Sequence, residues 1–410
     1  DDETAEKLIA DKLADADWET HLGQSESLFV NASTWGLMLT GRIVRAPAAE
    51  DTGSFKAAWS RLVNRSTEPV VRLAIRSAMR MMGSQFVMGR TISEALDAAQ
   101  SKEQRPYRHS YDMLGEAALT AADAERYLAS YLAAIRAIGE AARSLGGSVE
   151  SRPGISVKLS ALHPRYEQAK RSRVIEELTP RLLLLAQSAR ACGISLCIDA
   201  EEADRLSISL DLFEAVYRDP SLNNWDGFGL AVQAFQKRGL AVIEWLESLA
   251  REVGRRIPVR LVKGAYWDTE VKRAQEAGLP GYPVYTRKAN TDVAYLGCAR
   301  RLLAARDVFF PQLATHNAHT VAAVKAYASE GIGGGMAGFE FQRLHGMGEA
   351  LYDVVREDCA LPCRVYSPVG SHADLLPYLV RRLLENGANT SFVNRIFDDN
   401  MPPEQLVADP

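Results

Sequence analysis

From about residue 105 onward the hydrophobic pattern switches back and forth between two periods. Short runs rich in β-branched and aromatic residues are "RHSYDMLGE", "GISVKLS", "SLCIDAE", "FGLAVQA", "PVRLVKG", "DVFFPQLATH", "GFEFQRLHG" and "CRVYSPVG". Between them lie amphipathic stretches at helical spacing, such as "RVIEELTPRLLLLAQSARACG" and "TVAAVKAYASEG". Strict alternation of this kind requires parallel strands with crossover helices. Eight repeats predict an α/β fold, a (β/α)8 TIM-type barrel, over an open doubly wound sheet.

The first hundred residues read differently. "STEPVVRLAIRSAMRMMG" and "TISEALDAAQ" carry apolar residues at helical spacing, with Ser or Thr near each start. The polar run "SKEQRPYRH" then breaks the pattern. The expected organisation is a helical N-terminal segment at 1–104, a barrel at 105–400 and a short tail at 401–410. "GGGMAG", Gly333 to Gly338, has the G-x-G-x-x-G spacing of a dinucleotide loop, but a helical run precedes it and a strand follows. That order is the reverse of a Rossmann turn, so the stretch reads as a flexible helix stop.

Composition narrows the functional classes. The 410 residues are 47% hydrophobic and 24% charged, with a formal net charge of −4. No overall basic field points to nucleic acid, and no apolar run approaches the roughly 20 residues that span a bilayer. The chain begins at Asp1 without a signal-peptide pattern, and is expected to be a piece of a longer cytoplasmic protein. Cys192, Cys197, Cys298, Cys359 and Cys363 have no regular spacing, which suits structural thiols in a reducing compartment. His316 and His319 in "LATHNAH" lack further ligands at metal spacing, so no metal site is expected.

Candidate chemistry gathers at the strand ends, where barrels of this class place their active sites. Asp112, Glu116, Lys158, Asp199, Glu201, Glu202, Gln233, Arg260, Lys263, Thr315, His316, Gln342 and Tyr366 all fall there. Charged groups in a covered barrel are costly unless paired or bound to a ligand, so a ring of this density suggests a ligand site. In "RLVKGAYWDTEVKRAQ", Arg260 beside Tyr266 and Trp267 suits a large planar cofactor, while the plain alternative is an aromatic anchor for the next helix. The helix "YLVRRLLENGANTSF" carries Arg381 and Arg382 within an apolar stripe. One reading has them solvated or snorkelling. The other makes them, with Lys158, a clamp for a small carboxylate, neutralised by Glu116 when empty.

Long stretches carry a resemblance: "SYDMLGEAALT", "GISVKLSALHPRY", "IDAEEADRLSISLDLFE", "RLVKGAYWDTEVKRAQ", "ATHNAH", "FEFQRLHGMGE" and "LVRRLLENGANTSFVNRI". Together they resemble the proline dehydrogenase domain of bacterial bifunctional proline utilization A proteins, over nearly the whole chain. The resemblance implies FAD-dependent oxidation of L-proline to Δ1-pyrroline-5-carboxylate, with electrons passed to a quinone and peripheral contact with the inner face of the membrane. It implies a proline-carboxylate site of Lys158, Arg381 and Arg382 gated by Glu116, and a ring-packing wall of Ala265, Tyr266, Leu344, Tyr366 and Tyr378. Asp199, Arg260 and Tyr266 would lie at the reacting centre, with Asp199 and Arg260 also contacting FAD. Gln233, Val262, Gly264, Trp267, Thr286, Arg287, Lys288, Thr315, His316, Asn317, Gln342, Glu385 and Ser391 would contact FAD. The relatives' aldehyde dehydrogenase half and the DNA-binding module of some of them are expected to be missing here, so no nucleic-acid partner is expected. The rival readings are a Schiff-base barrel using Lys158 or Lys263, and a flavin-binding sensor without turnover.

Overall fold

A computed structural model of the chain describes residues 86–330 and 335–370. Eight parallel strands pair in chain order and close into a barrel. They are β1 (Arg108–Met113), β2 (Gly154–Val157), β3 (Ser195–Ile198), β4 (Phe228–Gln233), β5 (Ile257–Val262), β6 (Phe309–Ala314), β7 (Glu340–Leu344) and β8 (Cys363–Val369). Every run read as a strand in the sequence overlaps one of them, seven containing the whole strand and "PVRLVKG" missing only Ile257 of β5, and the TIM-type expectation holds.

Helix α1 (Ile92–Ala98) precedes the barrel. The crossovers are α2 (Ala121–Ala142), α3 (Arg171–Ala191), α4 (Leu206–Tyr217), α5 (Gly239–Val253), α6 (Trp267–Glu276), α7 (Lys288–Ala304), α8 (Ala318–Ser329) and α9 (Glu349–Cys359). Their starts follow local chemistry. Thr120 caps α2 in a capping box, its hydroxyl accepting from Asp123 N at 3.1 Å while Asp123 Oδ2 accepts from Thr120 N at 3.0 Å. Asn317 caps α8 by accepting from His319 N at 2.9 Å. The glycine-rich stretch lies between α8 and β7, where a helix stop belongs; Gly335 and Gly338 have φ of 84° and 79°, open only to glycine at low cost.

Chain contacts divide the protein after Gln85, and the unit beginning at Phe86 contains the barrel. Residues just before α1 are tied to the barrel wall: Met88 N donates to Pro368 O at 2.9 Å, and Gly89 bridges Val369.

The apolar core lies between strands and helices, where Ile155, Val157, Leu196, Ile198, Val259 and Leu261 meet Leu178, Leu182, Ile243 and Leu246. Each such side chain contributes about 1.5–3 kcal/mol on burial. The barrel interior is different. Residues two apart face it along each strand, and many are polar: Arg108, Ser110 and Asp112 on β1, Glu340 and Gln342 on β7, Arg364 and Tyr366 on β8. Their hydrogen bonds to one another satisfy most of what an apolar interior would not need.

Candidate active site

The interior polar groups form a hydrogen-bonded column from the floor of the barrel to its mouth. At the floor, Glu340 is fully buried and accepts from Arg364 Nε at 2.6 Å and Nη2 at 3.1 Å. Arg108 Nη1 adds a contact at 3.0 Å, and Gln312 Nε2 donates to the same carboxylate at 2.8 Å. Burial raises the Glu340 carboxyl, but the charges and hydrogen bonds of Arg364 and then Arg108 outweigh it and hold the pKa below its ordinary value.

Gln342 links floor to centre. Its NH2 group donates to Glu340 at 3.1 Å, which turns its carbonyl oxygen toward Arg260 Nε at 2.8 Å. Arg260 then spends its fork on three further groups: Asp199 Oδ1 at 2.7 Å from Nη1, Ser156 Oγ at 2.9 Å and Ser110 Oγ at 3.1 Å from Nη2. The guanidinium also stands 5.1 Å from the centroid of the Tyr366 ring.

At the mouth, Lys158 Nζ lies 2.8 Å from both oxygens of Asp112, 3.3 Å from Asp199 Oδ2 and 3.4 Å from Tyr366 OH. Tyr366 donates to Asp199 Oδ2 at 2.6 Å. Desolvation and the nearby Asp112 and Asp199 charges push the Tyr366 hydroxyl well up, so it stays protonated and donates. Lys158, Asp199, Arg260, Gln342 and Tyr366, far apart in sequence, are thus brought into one network.

Other sequence candidates take supporting positions. His316 accepts at Nε2 from Leu344 N at 3.1 Å, joining the ends of β6 and β7. Thr315 Oγ1 accepts from Asn317 N at 3.1 Å, and the Asn317 side chain is occupied in capping α8. Glu116, Val262, Tyr266 and Leu344 are half-buried at the strand ends, and Ala265 is exposed there. Arg381, Arg382, Tyr378, Glu385 and Ser391 lie outside the described residues. Sequence reading assigned no partner to Lys158 and passed over Ser110, Ser156 and Glu340. The signal was the two-residue spacing of polar positions, Arg108–Ser110–Asp112 and Glu340–Gln342.

Several features could hold a flavin dinucleotide. Gln233 donates Nε2 to Glu201 O at 2.7 Å, while its Oε1 is buried without a donor among the described residues and suits a ring N–H. The 17-residue α7 starts without a side-chain cap, with Arg287 at the cap and Lys288 next, as a pyrophosphate requires. Trp267 is 41% exposed, its indole N–H held by Tyr285 O at 2.8 Å, leaving the ring as a flat platform. Gly264, at φ 134°, lies so close to the Phe235 ring that a Cβ would sit 2.6 Å from it. The residues fit such a group.

Both lysines of the Schiff-base alternative are held by carboxylates. Lys158 is held by Asp112 with its pKa raised, and Lys263 is ion-paired with Asp292.

A closed barrel with an ion-paired polar ring at the C-terminal ends of its strands defines an enzyme-type (β/α)8 protein. A family model described as "Proline dehydrogenase" matches residues 95–395, and the chain belongs to that family. It is 54% identical to the bifunctional protein PutA of Salmonella typhimurium, covering all of this chain and 31% of that protein. The proline dehydrogenase of Deinococcus radiodurans is 27% identical, covering 79% of this chain and 93% of its own. Among solved structures, proline utilization A of Bradyrhizobium japonicum matches with 52% identity and a TM-score of 0.76, over all of this chain and 40% of that one. That of Bdellovibrio bacteriovorus, inactivated by N-propargylglycine, matches with 27% identity and a TM-score of 0.81, over 99% of this chain and 43% of its own. The chain therefore spans about a third of the length of the bifunctional relatives.

One expectation needs correction. Residues 1–86 match a second model, described as "DNA-binding domain of Proline dehydrogenase", so a segment of that type is present. Sequence reading missed it because no basic excess marks it: the segment holds ten Lys and Arg against twelve Asp and Glu. Any nucleic-acid contact there has to come from a local patch.

Proposed function

We propose that this chain oxidises L-proline to Δ1-pyrroline-5-carboxylate, the first step of proline catabolism, with FAD as cofactor and a quinone as final acceptor. The observation that carries this reading is the Lys158–Asp199–Arg260–Tyr366 network at the mouth of a proline dehydrogenase family barrel.

FAD, when bound, would supply the two-electron acceptor at its N5 edge for the hydride lost from the ring carbon beside the proline nitrogen. The residues that would hold it are Gln233 and Arg260 at the ring system, Arg287 and Lys288 at the phosphates, and Trp267 at a flat face, with Val262, Gly264, Thr286, Thr315, His316, Asn317, Gln342, Glu385 and Ser391 around them. Lys158, Arg381 and Arg382 bind the substrate carboxylate, with Glu116 as the gate. Ala265, Tyr266, Leu344, Tyr366 and Tyr378 pack the five-membered ring and exclude water. Holding the carboxylate and ring together makes the transfer effectively unimolecular. The proline ammonium loses its proton first, to solvent or a nearby carboxylate. Arg260, fixed by four hydrogen bonds, meets charge developing in front of it without having to reorganise.

Among the described residues no helix is long and apolar enough to cross a membrane. The cytoplasmic location, with quinone reached through peripheral contact at the inner membrane face, belongs to the same proposal. The test is turnover of the FAD-loaded chain with L-proline and a dye or short-chain quinone, with trapping of the cyclic imine. Dye reduction with trapped product supports the reading; tight FAD without turnover would leave a sensor.

A further inference from the structure

The proposed reaction gives no task to Asp112. Its carboxylate is fully buried on β1, and the register pairs Asp112 with Ser156 of β2, two residues before Lys158. Both oxygens lie 2.8 Å from Lys158 Nζ. The other carboxylate in reach, Asp199, is committed to Arg260 at 2.7 Å and Tyr366 at 2.6 Å, and stands off Lys158 at 3.3 Å. The lysine is fixed at its other end too, because its backbone N–H donates to Tyr131 OH at 3.2 Å. A flexible four-carbon chain is thereby reduced to one placed ammonium.

We propose that Asp112 is a positioning residue of the substrate site: it keeps Lys158 charged and holds its nitrogen where an incoming carboxylate meets it. The proposal rests on the reading of Lys158 as a carboxylate ligand. It also revises the picture of three bare cations at the mouth. Lys158 and Asp112 form a neutral pair, so the lysine itself adds an oriented donor without adding net positive charge. Among the described residues, the groups that act most strongly on the Lys158 nitrogen are Asp112 from β1, Tyr366 from β8, Asp199 beyond β3 and Tyr131 from α2. Burial alone drives the ammonium's pKa down; Asp112, ahead of Tyr366 and Asp199, reverses this and raises it well above the ordinary value. With Asp112 neutral, the largest opposition to burial is removed.

Two variants of the FAD-loaded protein separate charge from position. Asp112→Asn keeps the shape and removes the charge. It should raise KM for proline roughly tenfold or more with a smaller change in kcat. It should also add a loss of kcat/KM on the alkaline side, below about pH 10, absent from the parent. Asp112→Glu keeps the charge and displaces the nitrogen, so KM should rise with no new alkaline limb. In a Lys158→Met background, Asp112→Asn should change KM by no more than about twofold, because Asp112 acts through the lysine.

A readout independent of turnover is the NMR titration of the Lys158 Cε in 13C-lysine-labelled protein, assigned with Lys158→Arg. The parent should show no titration below about pH 10, and Asp112→Asn should titrate lower. An unchanged Lys158 titration in Asp112→Asn, or an unchanged KM in Asp112→Glu, would overturn the proposal. If the parent fails to oxidise proline while Lys158 still titrates as described, the functional reading fails and the Asp112–Lys158 coupling stands.

Discussion

Arg260 Nη1 donates to Asp199 Oδ1 at 2.7 Å, while the other Asp199 oxygen accepts from Tyr366 at 2.6 Å. One carboxylate therefore fixes both the guanidinium and the phenol at the barrel mouth. A lysine at 260 could not reproduce this, because a single ammonium cannot reach Gln342, Asp199, Ser110 and Ser156 together. Arg260→Lys should keep FAD bound and slow flavin reduction by proline on the order of 10²-fold. Anaerobic stopped-flow absorbance checks it, and an unchanged rate would remove Arg260 from the reacting centre.

The carboxylate clamp makes a separate prediction. Arg381→Met should cost on the order of 2–5 kcal/mol in proline binding, since it removes one partner of a charge pair and leaves the other unmatched. It should appear as a raised KM for proline with FAD content unchanged. An unchanged KM would sink the clamp.

Glu340 stabilises the barrel floor. Removing it strands the buried Arg364 and leaves the half-buried Arg108 unpaired, two cations that have no other carboxylate within ion-pair distance among the described residues. Glu340→Ala should destabilise the protein by about 3–5 kcal/mol in urea unfolding. Restored stability on adding Arg364→Met, by contrast, would show that the unpaired charge and not the lost volume carries the cost.

His109 sets a pH dependence. It is buried on β1 between Ser367 Oγ at 3.1 Å and Gln104 O at 3.2 Å. Desolvation lowers its pKa from 6.5 to about 4. The unfolded chain therefore binds the proton first as pH falls. The stability from keeping His109 neutral is complete above pH 6.5 and is lost between 6.5 and about 4. The amount is about 3 kcal/mol. The difference in unfolding free energy between the parent and His109→Gln should shrink by that order as pH drops through this window. A pH-independent difference would mean the histidine does not titrate there.

The barrel was legible because each strand is a short buried run closed off by helical periodicity or turn residues. Lys158, Asp199, Arg260, Gln342 and Tyr366 were legible as strand-end polar groups. Their pairing was not, because which ends meet depends on the stagger between strands, a long-range property. Sequence reading treated Lys158 as a third bare cation and had no means of seeing that Asp112 lies beneath it. The rule that covered strands are apolar also misled at Glu340 and Arg364, since their mutual pairing is what makes a polar interior tolerable. Residues 1–86 were hard for another reason: a sequence with balanced charge leaves no electrostatic mark of its relatives.

The most direct test of the central claim is the absorption spectrum of the FAD-loaded protein under anaerobic conditions, before and after L-proline. Bleaching of the flavin bands by L-proline, and not by D-proline or glycine, is the predicted result. A flavin spectrum that L-proline leaves unchanged would contradict it.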